Sequence, residues 1–378
     1  MKPVFKLATV AGAAAAASAM FVVPASAATT SHAADSGSGV VFAQNDSTSG
    51  NEVFAYARTA SGGLNQVGAY PTGGVGGQEG GSVVDHLGSE GSVAYDAQAR
   101  LLYVSNAGSN TISVFAVNGD SLTRVQVISS GGEFPVSIAA RGGLVYVLNA
   151  RDGGSVAGFL RIGDRLVSVP GWHRDLGLNP EQTPEFTSTP GQIGFTPDGG
   201  SLVVTTKNGA NTVDVFKLGL LGPAPKPAVT SLPSDVPYAF AFDSYQHLDL
   251  IEAGPAALAT FTISHDGQLG ALDTTVTGQA GTCWVVADGN LLYTSNPGSS
   301  TVSIYRVSAG GQLTSLGAAS TDGGTVDAAV SGDGQYLYVQ TGADGIVDAF
   351  HIGANGGLTK TGSATIPGGV GAEGIVAP

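Results

Sequence analysis

The sequence predicts an all-β protein: a seven-bladed β-propeller of four-stranded antiparallel blades, closed by the C-terminal strand joining the N-terminal blade. Three observations predict it. A unit of four short apolar runs recurs every 43 to 60 residues or so, the spacing of propeller blades. The two ends of the chain each hold the part of that unit which the other lacks. Glycine (58 of 378 residues) stands at about twice its usual share while charged residues are scarce, a composition of many strands and tight turns.

The chain opens with Lys2 and Lys6, an alanine-rich apolar stretch to about Val23, then Pro24 and the small-residue site Ala25-Ser26-Ala27. This reads as a secretory signal over residues 1–27, cleaved after Ala27. Residues 28–39, rich in Ser, Ala and Gly, read as a disordered lead-in. The propeller is expected over residues 40–378.

The clearest unit runs from Ser92 to Ile128: SVAYD, LLYVSN, TISVFAV and LTRVQVI, separated by turn residues. It recurs over Ser137–Gly171, Gln192–Leu232, Ala239–Val276, Cys283–Ser320 and Asp327–Ile366. The seventh copy is split. VVFAQN, EVFAYAR and LNQVGAY (from Val40) match the second, third and fourth strands, and Gly371–Pro378 matches only a first strand. Pairing the two ends removes the open edges an array of sheets would otherwise present. Alternation along the first strands sends Val93, Ile138, Ile193, Phe240, Trp284, Ala328 and Ile375 between blades. The small Ala94, Ala139, Gly194, Ala241, Val285, Ala329 and Val376 then face the crowded axis. One step earlier, Ser92, Ser137, Gln192, Ala239, Cys283, Asp327 and Gly374 are predicted to form a collar at one channel mouth.

The net charge is −14, and −16 once Lys2 and Lys6 are removed. Such a surface repels nucleic-acid phosphates and anionic lipid, so neither nucleic acid nor, after signal cleavage, a membrane is an expected partner. Cys283 is the only cysteine, so no internal disulfide forms and a large core must hold the fold. Nothing argues against a secreted monomer, extracellular or in the cell envelope, with a small molecule or extracellular ligand as partner.

Loops joining strand two to three, and strand four to the next strand one, share a face and vary most. Long ones run over Gly73–Glu90, Trp172–Gly191 and Gly219–Pro237. His86 and Glu90, with Glu79 and Asp85 in the same loop, and Glu373 at the start of the closing strand are considered as catalytic bases, the candidates being Glu373, Glu90 and His86. Each also reads as an ordinary polar loop residue. Arg151 and Lys207 follow second strands and are candidate donors for an oxyanion or acidic substrate. Gln192, Asp327, Asn208 and the recurring Asn106, Asn149 and Asn296 complete the candidate binding set; asparagine there equally suits left-handed turns. No zinc spacing, nucleophile elbow or phosphate loop is present, and no cofactor or metal is expected.

The strings FTPDGGSLVVTTKNGANTVDVFKL, SGDGQYLYVQT with IVDAFHI, and LLYTSNPGSSTVSIYRVSAGGQLTSLG resemble the seven-bladed lactonase family, which includes propeller-type 6-phosphogluconolactonases and carboxymuconate cyclases. The resemblance covers Val40 to Pro378. It implies opening or closing of a lactone ring over the channel, without a required metal. Where family members carry a histidine stretch and an acidic segment, this chain reads TSTPGQIGFTPDG and TTKNGAN, with no histidine and with Lys207-Asn208 in place of the acid. Two functions follow as expectations: an exported lactonase-like hydrolase of a small lactone or cyclic ester at the channel mouth, or a non-catalytic secreted propeller binding a protein or carbohydrate through the same face. A calcium-dependent hydrolase is a third.

Overall fold

The computed structural model describes residues 39–378. The expected secretory signal and nearly all of the expected lead-in lie outside the described residues.

Seven antiparallel sheets follow one another along the chain. Blade 1 combines Ile375–Val376 with Val40–Gln44, Glu52–Arg58 and Leu64–Pro71, so the ring closes as the split repeat predicts. The closing strand is short. Phe42 pairs with Val376 and Ala43 with Ile375, extended by Gln44 N donating to Gly374 O (3.1 Å). Blades 2 to 7 begin at Val93, Pro135, Ile193, Pro237, Trp284 and Thr325. In blade 4 the outer edge is divided between Gly222–Pro223 and Ala228–Ser231, both pairing with Thr212–Gly219.

The apolar runs become a core by filling the junctions between blades. Among the described residues there are seven apolar clusters, each centred on the junction of two neighbouring blades. Val93, Ile138, Ile193, Phe240, Ala328 and Ile375 fall one each into six of them. Burying one such large side chain is worth about 1.5–3 kcal/mol. Polar straps join the innermost strands of successive blades: Ile193 N to Ser137 Oγ (3.2 Å), Phe240 N to Gln192 Oε1 (2.6 Å) and Ile375 N to Asp327 Oδ2 (3.1 Å).

Blade 6 corrects the predicted alignment by one residue. Val285 pairs with Thr294, the position at which Val93 pairs with Val104 in blade 2. The collar position therefore belongs to Trp284, the axial position to Val286, and Cys283 sits one level higher. The reason is the indole. Trp284 Nε1 donates to Ser89 O (2.7 Å) and its ring meets Tyr238 edge-on at 5.3 Å. The repeat pattern, which scores only size and polarity, contains neither contact.

Candidate functional site

The loop Gly73–Glu90 lies across the channel mouth and touches every blade. Gly76 N donates to Ser47 O (2.8 Å) in blade 1, and Val75 O accepts from Gly108 N (3.2 Å) in blade 2. Ser89 Oγ donates to Val136 O (2.9 Å) in blade 3, and Gly88 O accepts from Lys207 Nζ (2.5 Å) in blade 4. Asp85 Oδ2 accepts from Tyr238 Oη (3.0 Å) in blade 5, and Ser89 O from Trp284 in blade 6. At blade 7 the loop lies on Gly342, where a Cβ would overlap the Val84 carbonyl oxygen. His86 N bonds Gly371 O (2.7 Å) beside the closing strand. The segment is a lid on the mouth.

Beneath the lid six carboxyl groups (Asp46, Glu79, Asp85, Glu90, Asp327, Glu373) and one ammonium, that of Lys207, are buried. They form two groups bridged by Asp85. In the first, Lys207 Nζ lies 3.8 Å from Glu79 Oε2, donates to Gly88 O and Phe186 O (2.6 Å), and stands 5.4 Å from the Tyr238 ring centre. Lys207 is held at φ +47°, a conformation that costs a non-glycine residue about 1–3 kcal/mol and gathers at functional sites. Burial pushes the Glu79 carboxyl up to about 8, against the pull of Lys207. Burial pushes Asp85 up to about 6, although the Ser89 and Leu87 amides and Tyr238 favour its anion. Burial lowers Lys207 from the ordinary lysine value, while Glu79 and Asp85 hold its charge.

In the second group Glu90, Asp327 and Glu373 converge. Glu373 Oε1 accepts the Gly91 and Ser92 amides (2.9 and 3.3 Å), and its own amide donates to Asp46 Oδ2 (2.9 Å). Glu90 hydrogen-bonds Asp327 through a shared proton, and beyond that bond no group of the protein donates to its buried Oε2. Burial first, then the charges of Asp327 and its neighbours, raise both Glu90 and Glu373 well above the carboxylate range. Such a set holds protons at neutral pH and can exchange them with a reacting group. Among the described residues no three His, Cys, Asp or Glu side chains are grouped so as to hold a metal ion.

The structure thus brings together Glu90, Glu373, Asp327 and Lys207 from the predicted set. His86 stands apart. Its ring packs on Gly371, and burial alone holds it below the usual histidine value. Arg151, expected to offer a free guanidinium, forms a rim clip. Its Nε bonds Glu185 Oε1 (2.6 Å), its Nη2 bonds Gln78 O (3.1 Å), and Glu185 Oε2 takes the Gly80 amide (2.6 Å). Asn106, Asn149 and Asn296 do not offer their amides to a ligand. They are buried, and their amides bind Ser113, Ser155 and Ser303 within their own hairpins (2.9, 3.4 and 2.9 Å). Asn208 is exposed, its carbonyl accepting Gln182 Nε2. Gln192 is half-buried and straps blade 4 to blade 5. Tyr238 and Asp46 join the site unannounced. Glu79 and Asp85 are noticed in the sequence only as neighbours of His86. A lone acid inside a glycine-rich loop carries no sign of burial.

The family model for the 7-bladed β-propeller lactonases matches residues 49–162 and 173–372. The chain belongs to that family. Among solved structures, this lactonase-family propeller is similar to a periplasmic gluconolactonase of Pseudomonas aeruginosa: TM-score 0.72, 16% identity, covering 89% of this chain and 98% of that one. A Lactobacillus plantarum protein gives TM-score 0.74 at 17% identity, covering 90% and 99%. A Bacteroides fragilis protein, provisionally described as a 6-phosphogluconolactonase, gives 0.67 at 19%, covering 87% and 98%. At these identities the likeness is one of fold. No functionally curated protein matches the sequence.

Proposed function

We propose that this family member is an exported hydrolase that opens a small lactone or related cyclic ester at the cluster beneath the lid. The observation that carries the reading is the buried Glu90 carboxyl, paired with Asp327 and otherwise without a donor on Oε2, in the same cluster as the Lys207 ammonium. Lactone opening needs a base for water and a positive group for the developing oxyanion. With the proton of the Glu90–Asp327 pair on Asp327, Glu90 takes a proton from water as the water oxygen bonds to the carbonyl carbon. Lys207 turns toward the oxyanion the N–H that faces Glu79 at 3.8 Å, while Tyr238 stays on Asp85. Collapse breaks the ring C–O bond, and the proton held on Glu90 passes to the leaving alkoxide, giving the hydroxy acid. Asp327 and Glu373 set the proton affinity of Glu90. Removal of residues 1–27 would put this chemistry outside the cytoplasm, as for the periplasmic gluconolactonase above; N-terminal sequencing of exported protein should begin at Ala28.

The test is proton release from simple lactones, followed by pH-stat. Glu90→Gln should lower kcat by about 10²–10⁴-fold. Turnover unaffected by Glu90→Gln and Glu373→Gln excludes this site. A second reading, a non-catalytic binding propeller, draws on the lid itself. The mouth is covered, and a cleft of ≈ 230 Å³ lies at its rim among Glu133, Arg151, Asp152, Gln182 and Glu185. A folded protein inert toward every lactone tried would favour it.

A further inference from the structure

We propose that the cluster receives a small uncharged ligand through the lumen of the propeller, from the face opposite the lid, and that anions are excluded; this rests on the hydrolase reading above. The lid covers one mouth with contacts to all seven blades. Below the collar, the axial ring consists of Ala94, Ala139, Gly194, Ala241, Val286, Ala329 and Val376, none larger than valine and none charged. All but Ala139 retain accessible surface. Ala94, Ala241, Val286, Ala329 and Val376 pack on one side against the clusters between blades; their strands are innermost, so the surface they keep opens onto the axis. The collar above is closed at Ser92, Ser137, Ala239, Trp284 and Asp327, yet half-open at Gln192. Cys283, deep beside Lys207 and Asp85, also keeps accessible surface. The ring therefore leads from the face opposite the lid toward the acids.

Charge decides what can use it. Six carboxyls face a single ammonium that Glu79 already engages, and Arg151 is committed to Glu185. A phosphate or carboxylate on the substrate would meet like charge in a poorly solvated site whose single ammonium is shared by Glu79 and the developing oxyanion. An apolar lumen imposes the same selection on the way in.

The experiment compares δ-valerolactone with a lactone of the same ring bearing a carboxylate. The neutral ring should have the higher kcat/KM by about a hundredfold; equal or better turnover of the anion overturns the proposal. Ala329→Phe and Val376→Phe, checked for unchanged melting, should cut turnover of the neutral lactone by about tenfold; full activity in both overturns the lumen route. A readout independent of catalysis uses Ala329→Cys in a Cys283→Ser background. An uncharged methanethiosulfonate should label it about tenfold faster than a sulfonate-bearing one, at a rate that Arg151→Ala leaves unchanged. Equal labelling by the sulfonate, or none by either reagent, overturns the inference. Selective labelling with no turnover of any lactone sinks the hydrolase reading and leaves the neutral lumen standing.

Discussion

The two long loops of the lid face look alike in sequence, both polar, both broken by glycine or proline, both carrying a histidine among acids. They end up in opposite environments. Gly73–Glu90 turns its acids inward and buries Glu79, Asp85 and Glu90 over the axis. Trp172–Gly191 stays largely at the periphery, with His173, Asp175, Asn179 and Glu181 exposed, and reaches the site through Phe186 O, Thr189 Oγ1 and, at its very end, Gly191 O, which accepts the Glu90 amide (3.2 Å). The difference lies in what each loop finds beneath it. The first spans the ring and meets a buried ammonium, a phenol and an indole that its backbone and acids can satisfy. The second folds back on its own blade, where Arg174–Asp175 pairs with Ser155–Val156. Loop polarity alone says nothing of burial; available partners decide it.

That contrast can be broken most severely at Lys207. Lys207→Met should destabilise the protein by about 3–5 kcal/mol in urea unfolding, because Glu79 and Asp85 would lose their buried counter-charge. Adding Glu79→Gln should restore much of the loss. Next is Gly342→Ala, whose Cβ overlaps Val84 O. It should cost about 1–3 kcal/mol and expose Gly73–Glu90 to limited proteolysis while leaving Trp172–Gly191 as before. Arg151→Ala removes a half-exposed clip and should cost about 1 kcal/mol or less, with faster hydrogen exchange at Gly80. On the peripheral loop, His173→Ala breaks an exposed pair with Asp175 and should change stability by less than about 0.5 kcal/mol.

The loops should also answer pH with opposite sign. Asp85 and Glu79 have folded values raised to about 6 and about 8 from 3.8 and 4.5. The stability they contribute is present below the unfolded values and is lost as pH rises through the folded ones. Exchange protection of the lid should therefore fall between about pH 4 and 8. Burial pushes Glu185 up, but the hydrogen bonds from Arg151 and the Gly80 amide outweigh it and hold its carboxyl below the usual value. Its contribution is present above the unfolded value and lost in acid. Protection of both loops changing in the same direction would contradict the separate environments described here.

The fold was legible because repetition multiplies a weak signal. No single run such as LVYVLN or YLYVQT specifies a blade, but six aligned copies and a split seventh leave few arrangements that bury every apolar face. The place where the repeat misled, Trp284, is where a side chain answers to the lid rather than to its own sheet. For the site the sequence offered Glu90, Glu373, Asp327 and Lys207 as candidates because chain topology puts them on one face. It offered Arg151 and the hairpin asparagines on the same grounds, and these turned to local partners.

By itself, then, the sequence determined the blade count, the closure of the ring and the face on which its acids gather, since these depend on periodicity and on which segments can pair. Only the tertiary structure decided that Gly73–Glu90 is a lid, that Lys207 is buried and that Tyr238 belongs beside it. These outcomes depend on contacts between residues 119 and 153 positions apart, as in Lys207 to Gly88 and Tyr238 to Asp85. Whether a charge is buried depends on the partner that meets it, and nothing local in the chain records that meeting.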